Sequence, residues 1–372
     1  MKAFLDGSEA IVRGALDAGC TFFAGYPITP ASEILVGMLQ ALPAVGGTGI
    51  QAEDEIAALG FCIGAAMAGA RAMTATSGPG MSLYSENLGL AIMGEVPLVI
   101  VDCQRMGPAT GGATTVAQGD VQFLRWGTSG GYPLIVLSPA SVADCYTLTM
   151  RAFALAERFR TPVILATDKE MVSTRATVDL ASLTPEPVPP PPRLPPEEPF
   201  RLFDPGAPEE VVPLAPFGGP HVVRFTTSSH DPLGYLSQNP RDVGALNSHL
   251  AAKIEAHRAD LEFGLADLQE GAEVLFVSYG TTARAVWEAV AQARSRGKRA
   301  SALTLQTLWP VPEGLIRRAL AGVRRAVVAE LNLGQYRREV ERLAPGLEVV
   351  GAHRVDGELL SPEELLEKGG LL

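Results

Sequence analysis

Residues 20–54, CTFFAGYPITPASEILVGMLQALPAVGGTGIQAED, decide how the chain folds. CTFFAG is a short apolar run that reads as a buried strand. YPITP then fixes the backbone at two prolines, and ASEILVGMLQAL resumes apolar residues at helical spacing. GGTGIQAE reads as a second short strand, so the segment is a strand–turn–helix–strand unit.

The same alternation runs outward in both directions. Upstream, SEAIVRGALDA (8–18) has helical spacing, with Ala10, Ile11, Ala15 and Leu16 on one face and Ser8 as N-cap. Downstream, EIAALGFCIGAAMAGA is a small-residue helix that must pack closely on a neighbour, within the chain or between chains. ARAMTATSG is a strand and PGMSLYSENLGLAIMG a helix. PLVIVDC and YPLIVLS read as apolar strands, followed by the amphipathic helix VADCYTLTMRAFALAERFR and the strand TPVILATD. Apolar strands alternating with helices predict an α/β domain, a parallel sheet covered on both faces, over residues 1–175.

The segment 184–199, TPEPVPPPPRLPPEEP, reads as a semi-rigid polyproline linker. Residues 176–265 form this linker and an irregular connection closed by the helix LNSHLAAKIEAHRADLEFG. From 266 to 372 the alternation restarts with EVLFVSYG, TTARAVWEAVAQARSRG, RASALTLQTLWP, VPEGLIRRALAG and RRAVVAELN, a second and smaller α/β domain.

With 372 residues and 47% hydrophobic composition, the chain has material for large buried sheets, and its net charge of −11 disfavours nucleic acid as a partner. No apolar run is long enough to span a bilayer and the N-terminus carries charges through any export-signal core, so a membrane location is not expected. Cys20, Cys62, Cys103 and Cys145 form no CxxC pair, so this chain alone builds no zinc ribbon or iron–sulfur site. They read as reduced, buried thiols of a cytoplasmic protein.

In open parallel sheets ligands bind beyond the carboxyl ends of the strands. Three motifs fall there. In YPITP, Thr29 reads either as an N-cap with Pro30 at the first helical position, or as a hydroxyl held toward a ligand by a preset turn. In QAEDE, the acids Glu53, Asp54 and Glu55 are either simple helix-start acids, or Glu53 is set apart, facing the sheet crevice where desolvation raises its proton affinity. TATSGPG (Ser77, Gly78) is a glycine turn opening onto a helix, capable of meeting an anion through backbone amides but lacking a P-loop lysine.

In this order the three motifs resemble the α subunit of 2-oxoacid:ferredoxin oxidoreductases of the 2-oxoglutarate/branched-chain type. The resemblance continues through CQRMGPATGG (103–112), SSHDPLGYLSQNP, SYGTTARAVWEAV, LQTLWPVP and ELNLGQ (330–335), and covers nearly the whole chain outside the proline segment. It implies a thiamine-diphosphate pyrimidine-binding domain followed by a domain similar to the transketolase C-terminal domain. The implied activity is oxidative decarboxylation of a 2-oxoacid, 2-oxoglutarate favoured, with coenzyme A, the electrons passing to ferredoxin.

The resemblance also assigns roles. The carboxylate matching Glu53 hydrogen-bonds the aminopyrimidine ring and shares its proton. Thr29 lies by the thiazolium and the substrate carbonyl, with Tyr26, Pro27 and Ile28 shaping that wall. Arg105 stands near the substrate carboxylate, or else in an ordinary ion pair. Two departures touch specificity: Met106 replaces a family glycine, and Gly112-Ala113 replaces a Leu-Pro step. His230 reads as structural. No GDG…N segment is present, so Mg²⁺, the diphosphate grip and the [4Fe–4S] cluster are expected on a β subunit, in an α2β2 assembly. A non-catalytic scaffold of this fold and a transketolase-like transferase are the competing readings. The first is disfavoured by the retained Glu53 and Thr29, and the second by the missing diphosphate motif.

Overall fold

The apolar runs assemble into two large sheets, beside a two-stranded one, in the computed structural model, which describes residues 2–183 and 185–372; Met1 and Thr184, the first residue of the proline segment, lie outside the described residues. The larger sheet has seven strands in the order Thr307–Trp309, Ile135–Leu137, Pro162–Asp168, Leu98–Gln104, Ala72–Thr76, Phe22–Gly25, Thr48–Gln51. Six are parallel. The edge strand Thr307–Trp309 runs antiparallel to Ile135–Leu137.

Both faces are covered, and the two-residue period of a strand shows how. Val99, Val101 and Cys103 join a core with Ala10, Ile34 and Phe153 from the helices Gly7–Asp17, Ser32–Ala41 and Val142–Phe159. Leu98 and Ile100 point the other way, against Leu59 and Leu88 of the helices Glu55–Met67 and Ser85–Met93. Each of the fully buried Val, Leu, Ile and Phe side chains contributes about 1.5–3 kcal/mol.

The second sheet has the order Glu348–His353, Arg325–Glu330, Val274–Ser278, Ala300–Leu305, Gly264–Asp267, parallel except for the last strand. RASALTLQTLWP is therefore not one strand. Its first half lies in the second sheet, the chain crosses at Gln306, and Thr307–Trp309 closes the edge of the first sheet. The two halves of the molecule are stitched by this exchange.

Other expectations change. The first helix is capped by Asp6, whose carboxylate accepts from Glu9 N while Glu9 reaches back to Asp6 N, a reciprocal capping box. Ser8 lies inside the helix, buried, donating to the Val172 carbonyl. Lys2–Asp6 forms a strand of its own, antiparallel to Arg175–Asp179. PGMSLYSENLGLAIMG divides into two helices, Gly78–Leu83 and Ser85–Met93. Thr29 is not an N-cap: the helix begins at Ser32 after Ala31, and the Thr29–Pro30 peptide is cis.

The proline segment is strapped down rather than free. Leu194 N donates to Leu214 O at 3.0 Å, Arg193 Nη2 to Gly69 O at 2.8 Å, and Arg71 to the Pro189 carbonyl. Beneath it Leu194, Leu202, Phe203, Leu214 and Ala215 form a small core of their own.

Candidate active site

Parallel registry brings the motifs to one edge. Thr48–Gln51, Phe22–Gly25, Ala72–Thr76 and Leu98–Gln104 are neighbours in that order, so Glu53, Thr29, Ser77 and Arg105 follow four adjacent strand ends. Tyr26, Pro27 and Thr29 are exposed, and Ile28 is half-buried against the core.

Of the three acids after the Gln51 strand end, Asp54 is the helix cap, accepting from Ala57 N at 2.7 Å. Glu55 is buried beneath Gly80, where a Cβ would lie 2.8 Å from Glu55 Cγ. Asp54 is exposed too but is spent on the cap, so Glu53 is the exposed acid without a capping bond. The sequence expectation put Glu53 in a crevice that desolvates it; the chain by itself gives it no such cover.

Ser77 is fully buried, and its Oγ has no hydrogen-bond partner. At Gly78 an added Cβ would sit 3.0 and 3.1 Å from the two carboxyl oxygens of Asp120, so only glycine leaves that carboxyl room. Arg105, 6% exposed, follows the central strand; its Nη1 donates to the Thr29 carbonyl at 2.6 Å, while its Nε is buried and unpartnered.

The motifs did not announce two further acids. Asp102 lies inside the central strand, fully buried, and neither of its oxygens has a hydrogen-bond partner. Asp120 faces it. Burial, then the Asp120 charge, pushes the Asp102 carboxyl well above the usual range. Burial also pushes Asp120 up to about 6, against the opposing pull of the Asp102 side chain and the Arg105 charge. Two carboxyls this close in a dry site resist both being ionised at once.

Asp120 is delivered by the second domain. Gln118 N donates to Leu331 O, Asn332 Nδ2 donates to Gln118 O at 2.7 Å, and Gln335 Nε2 donates to Gly119 O at 2.6 Å. Trp309 Nε1 donates to Val121 O at 2.9 Å. ELNLGQ is thus a clamp on residues 118–122. Its Glu330 accepts from Tyr279 OH and from Tyr336 and Arg337 N. Between clamp and sheet lies a cavity of about 590 Å³, bordered by Gly78, Arg105, Met106, Asp120, Asn332 and Val355. His230 is packed edge-on against Phe203, with Nδ1 at 2.9 Å from Ser228 O.

For thiamine diphosphate the donor set fits one half of the group. An exposed carboxylate, a threonine turn and a glycine-lined wall with an orphaned hydroxyl suit a ring system. Among the described residues, no cluster of three His, Cys, Asp or Glu side chains could hold a metal ion. The four cysteines are all buried, Cys20 with its thiol pushed up to about 12 by burial.

Known proteins give this arrangement its class. Residues 13–229 match the family model described as pyruvate flavodoxin/ferredoxin oxidoreductase, thiamine diphosphate-binding, and residues 272–365 match the pyruvate:ferredoxin oxidoreductase core domain II. The chain belongs to this family of thiamine-diphosphate-binding oxidoreductases. Within it, the chain is 44% identical to the 2-oxoglutarate synthase subunit KorA of Methanothermobacter thermautotrophicus, over 98% of this chain and 96% of that one. It is 34% identical to the ketoisovalerate oxidoreductase subunit VorB of the same organism, over 97% and 95%. The solved 2-oxoglutarate:ferredoxin oxidoreductase of Magnetococcus marinus, with 2-oxoglutarate, coenzyme A and succinyl-CoA bound, superposes with a TM-score of 0.92 at 29% identity. That match covers 98% of this chain and 64% of the other, so the chain spans about two thirds of the length of that relative.

Proposed function

We propose that this chain is the α subunit of a coenzyme A-acylating 2-oxoacid:ferredoxin oxidoreductase acting on 2-oxoglutarate, and that it supplies the pyrimidine half of a site completed by a β subunit. The observation that carries this is the placement of Glu53, Thr29 and Arg105 at one edge, within four neighbouring strand ends, with Glu53 open to a second chain. The greater identity to the 2-oxoglutarate synthase subunit than to the ketoisovalerate subunit favours the dicarboxylic substrate.

Each residue has a chemical part. Bound thiamine diphosphate would supply the electron sink that lets a 2-oxoacid lose CO2. Glu53 holds a proton against a ring nitrogen of that cofactor, work that a carboxylate does well only when covered from water. The cover comes from the partner. Arg105 offers its guanidinium to the substrate carboxylate, while Thr29 and Tyr26, Pro27 and Ile28 form the wall beside the reacting carbon. Ser77 and Gly78 border the ring.

The surface next to Glu53 supports a partner there. On the helix Glu55–Met67, Leu59, Cys62 and Ala66 bury inward, while Ile56, Gly60 and Gly64 are exposed. A Cβ at Gly64 would meet nothing within 4 Å, leaving room for close approach of another chain. Mg²⁺, the diphosphate grip and the [4Fe–4S] cluster belong on the β subunit in this reading, within a cytoplasmic α2β2 complex reducing ferredoxin. No helix among the described residues is long and apolar enough to cross a membrane.

The test is co-expression with candidate β chains, followed by viologen reduction with a panel of 2-oxoacids and coenzyme A. Reduction that needs both chains and is fastest with 2-oxoglutarate supports the proposal. Activity of this chain alone, or none with any 2-oxoacid, contradicts it.

A further inference from the structure

Asp102 and Asp120 stand outside every role assigned so far, yet Asp120 lines the cavity beside Arg105, with Asp102 buried in the strand behind it. Asp102 is fully buried in the central strand, and neither of its oxygens has a hydrogen-bond partner. Asp120 is held in place from both sides: its N donates to Gln104 Oε1 at 3.1 Å, and the preceding Gly119 carbonyl is gripped by Gln335. One oxygen of Asp120 is buried and unpartnered, as is Nε of Arg105, and both residues border the same cavity.

We infer that the Asp102–Asp120 pair is a positioning device that takes up a proton from solvent when a 2-oxoacid carboxylate binds at Arg105, and releases it when the site empties. This rests on the reading of Arg105 as the substrate-carboxylate partner. With one proton on the pair, a single negative charge faces the Arg105 guanidinium and partly offsets it. An incoming carboxylate meets that charge as a repulsion across the cavity. A second proton removes the repulsion and leaves Arg105 free for the substrate.

Two titratable groups lie near: Cys103, beside Asp102 in the strand, whose thiol burial and the Asp102 charge push up, and the buried Asp168, raised by burial, which accepts from Gln118 Nε2 at 3.2 Å. The TSGPG turn contributes Ser77 and Gly78, and the clamp contributes Asn332 and Gln335, none of which ionises. Arg125 on the helix that follows Asp120 interacts with Glu255, Arg258 and Glu339 instead. Asp120, pushed up to about 6, changes charge in the window where substrate binding is measured.

The experiment uses the assembled complex, wild type and with Asp120→Asn or Asp102→Asn. An amide at 120 keeps the side-chain size and still accepts the Asp102 proton, but cannot ionise. KM for 2-oxoglutarate is expected to rise about tenfold as pH goes from about 5.5 to about 7.5 in the wild type. In Asp120→Asn it stays flat within about twofold, with kcat and thiamine diphosphate affinity little changed. Infrared spectra near neutral pH are expected to show a protonated carboxyl band that Asp102→Asn removes. A flat wild-type KM profile, an Asp120→Asn profile with the wild-type slope, or a missing band each overturns the inference. The wild-type profile decides the matter if Asp120→Asn does not assemble. Failure to oxidise any 2-oxoacid while the band persists would strike the proposed function and its Arg105 reading, and leave the shared proton standing.

Discussion

Arg105 Nη1 reaches across one strand to donate to the carbonyl oxygen of Thr29 at 2.6 Å. The arginine that follows the central strand therefore fixes the threonine turn two strand ends away. One guanidinium edge is committed to the protein, and the buried, unpartnered Nε remains for something else.

Replacing Arg105 tests both halves of that arrangement. Arg105→Lys keeps the charge but cannot make both contacts in one plane. A hydrogen bond to a charged group is worth about 1.5–3 kcal/mol, so KM for the 2-oxoacid should rise on the order of 10- to 150-fold. Steady-state kinetics of the variant complex checks this; an unchanged KM would remove Arg105 from substrate binding.

A second prediction concerns a buried ion cluster far from the cavity. Glu95 meets Lys253 Nζ at 2.9 Å, His249 Nε2 at 2.8 Å and Arg160 Nη2 at 3.8 Å, all nearly inaccessible to water. Glu95→Gln leaves two buried cations short of their partner and should destabilise by about 3–5 kcal/mol in urea unfolding.

The same cluster sets an acid limit. Burial alone would raise the Glu95 carboxyl, but Arg160, Lys253 and His249 outweigh it and hold it well below the ordinary glutamate value of 4.5. A folded-state value below the unfolded one gives stability that is complete above 4.5 and lost as pH falls beneath it. Unfolding midpoints of wild type should fall steeply below that pH and those of Glu95→Gln much less. Parallel acid curves would refute the assignment.

Gly80 carries a prediction about close packing. An alanine Cβ there would lie 1.9 Å from Thr76 Oγ1 and 2.8 Å from Glu55 Cγ, both in the buried floor of the site. Gly80→Ala should cost about 1–3 kcal/mol through forced rearrangement, visible as a lower melting temperature.

Much of this was legible in the sequence, for physical reasons that differ by residue. The YPITP, QAEDE and TSGPG turns were placed correctly at strand ends because prolines, glycines and helix-start acids punctuate apolar runs. The capping role of Asp6 was also present, as Asp6 followed three residues later by Glu9, but Ser8 is an equally good cap by residue type. Asp102 had a signal too: it is the one charge in PLVIVDC, and an acid in an apolar strand needs a proton or a partner. Its partner could not be read, since Asp120 arrives from 18 residues on and is held there by the second domain. The sheet exchange at Gln306 was hidden because LTL and TLW are equally good strand formers on either side of it. The exposure of Glu53 was hidden for another reason, for a carboxylate after a strand end reads the same whether or not the chain covers it.

The central claim is that Glu53 holds a proton for a cofactor gripped by a partner chain. The direct measurement is 2-oxoglutarate-dependent viologen reduction by the assembled complex, comparing wild type with Glu53→Gln at matched thiamine diphosphate content. Since Glu53 is exposed in the chain, the substitution should leave the fold of this chain unchanged, and matched cofactor content controls for assembly. The account predicts a loss in kcat of about 10²- to 10⁴-fold. A Glu53→Gln complex turning over at the wild-type rate would contradict it.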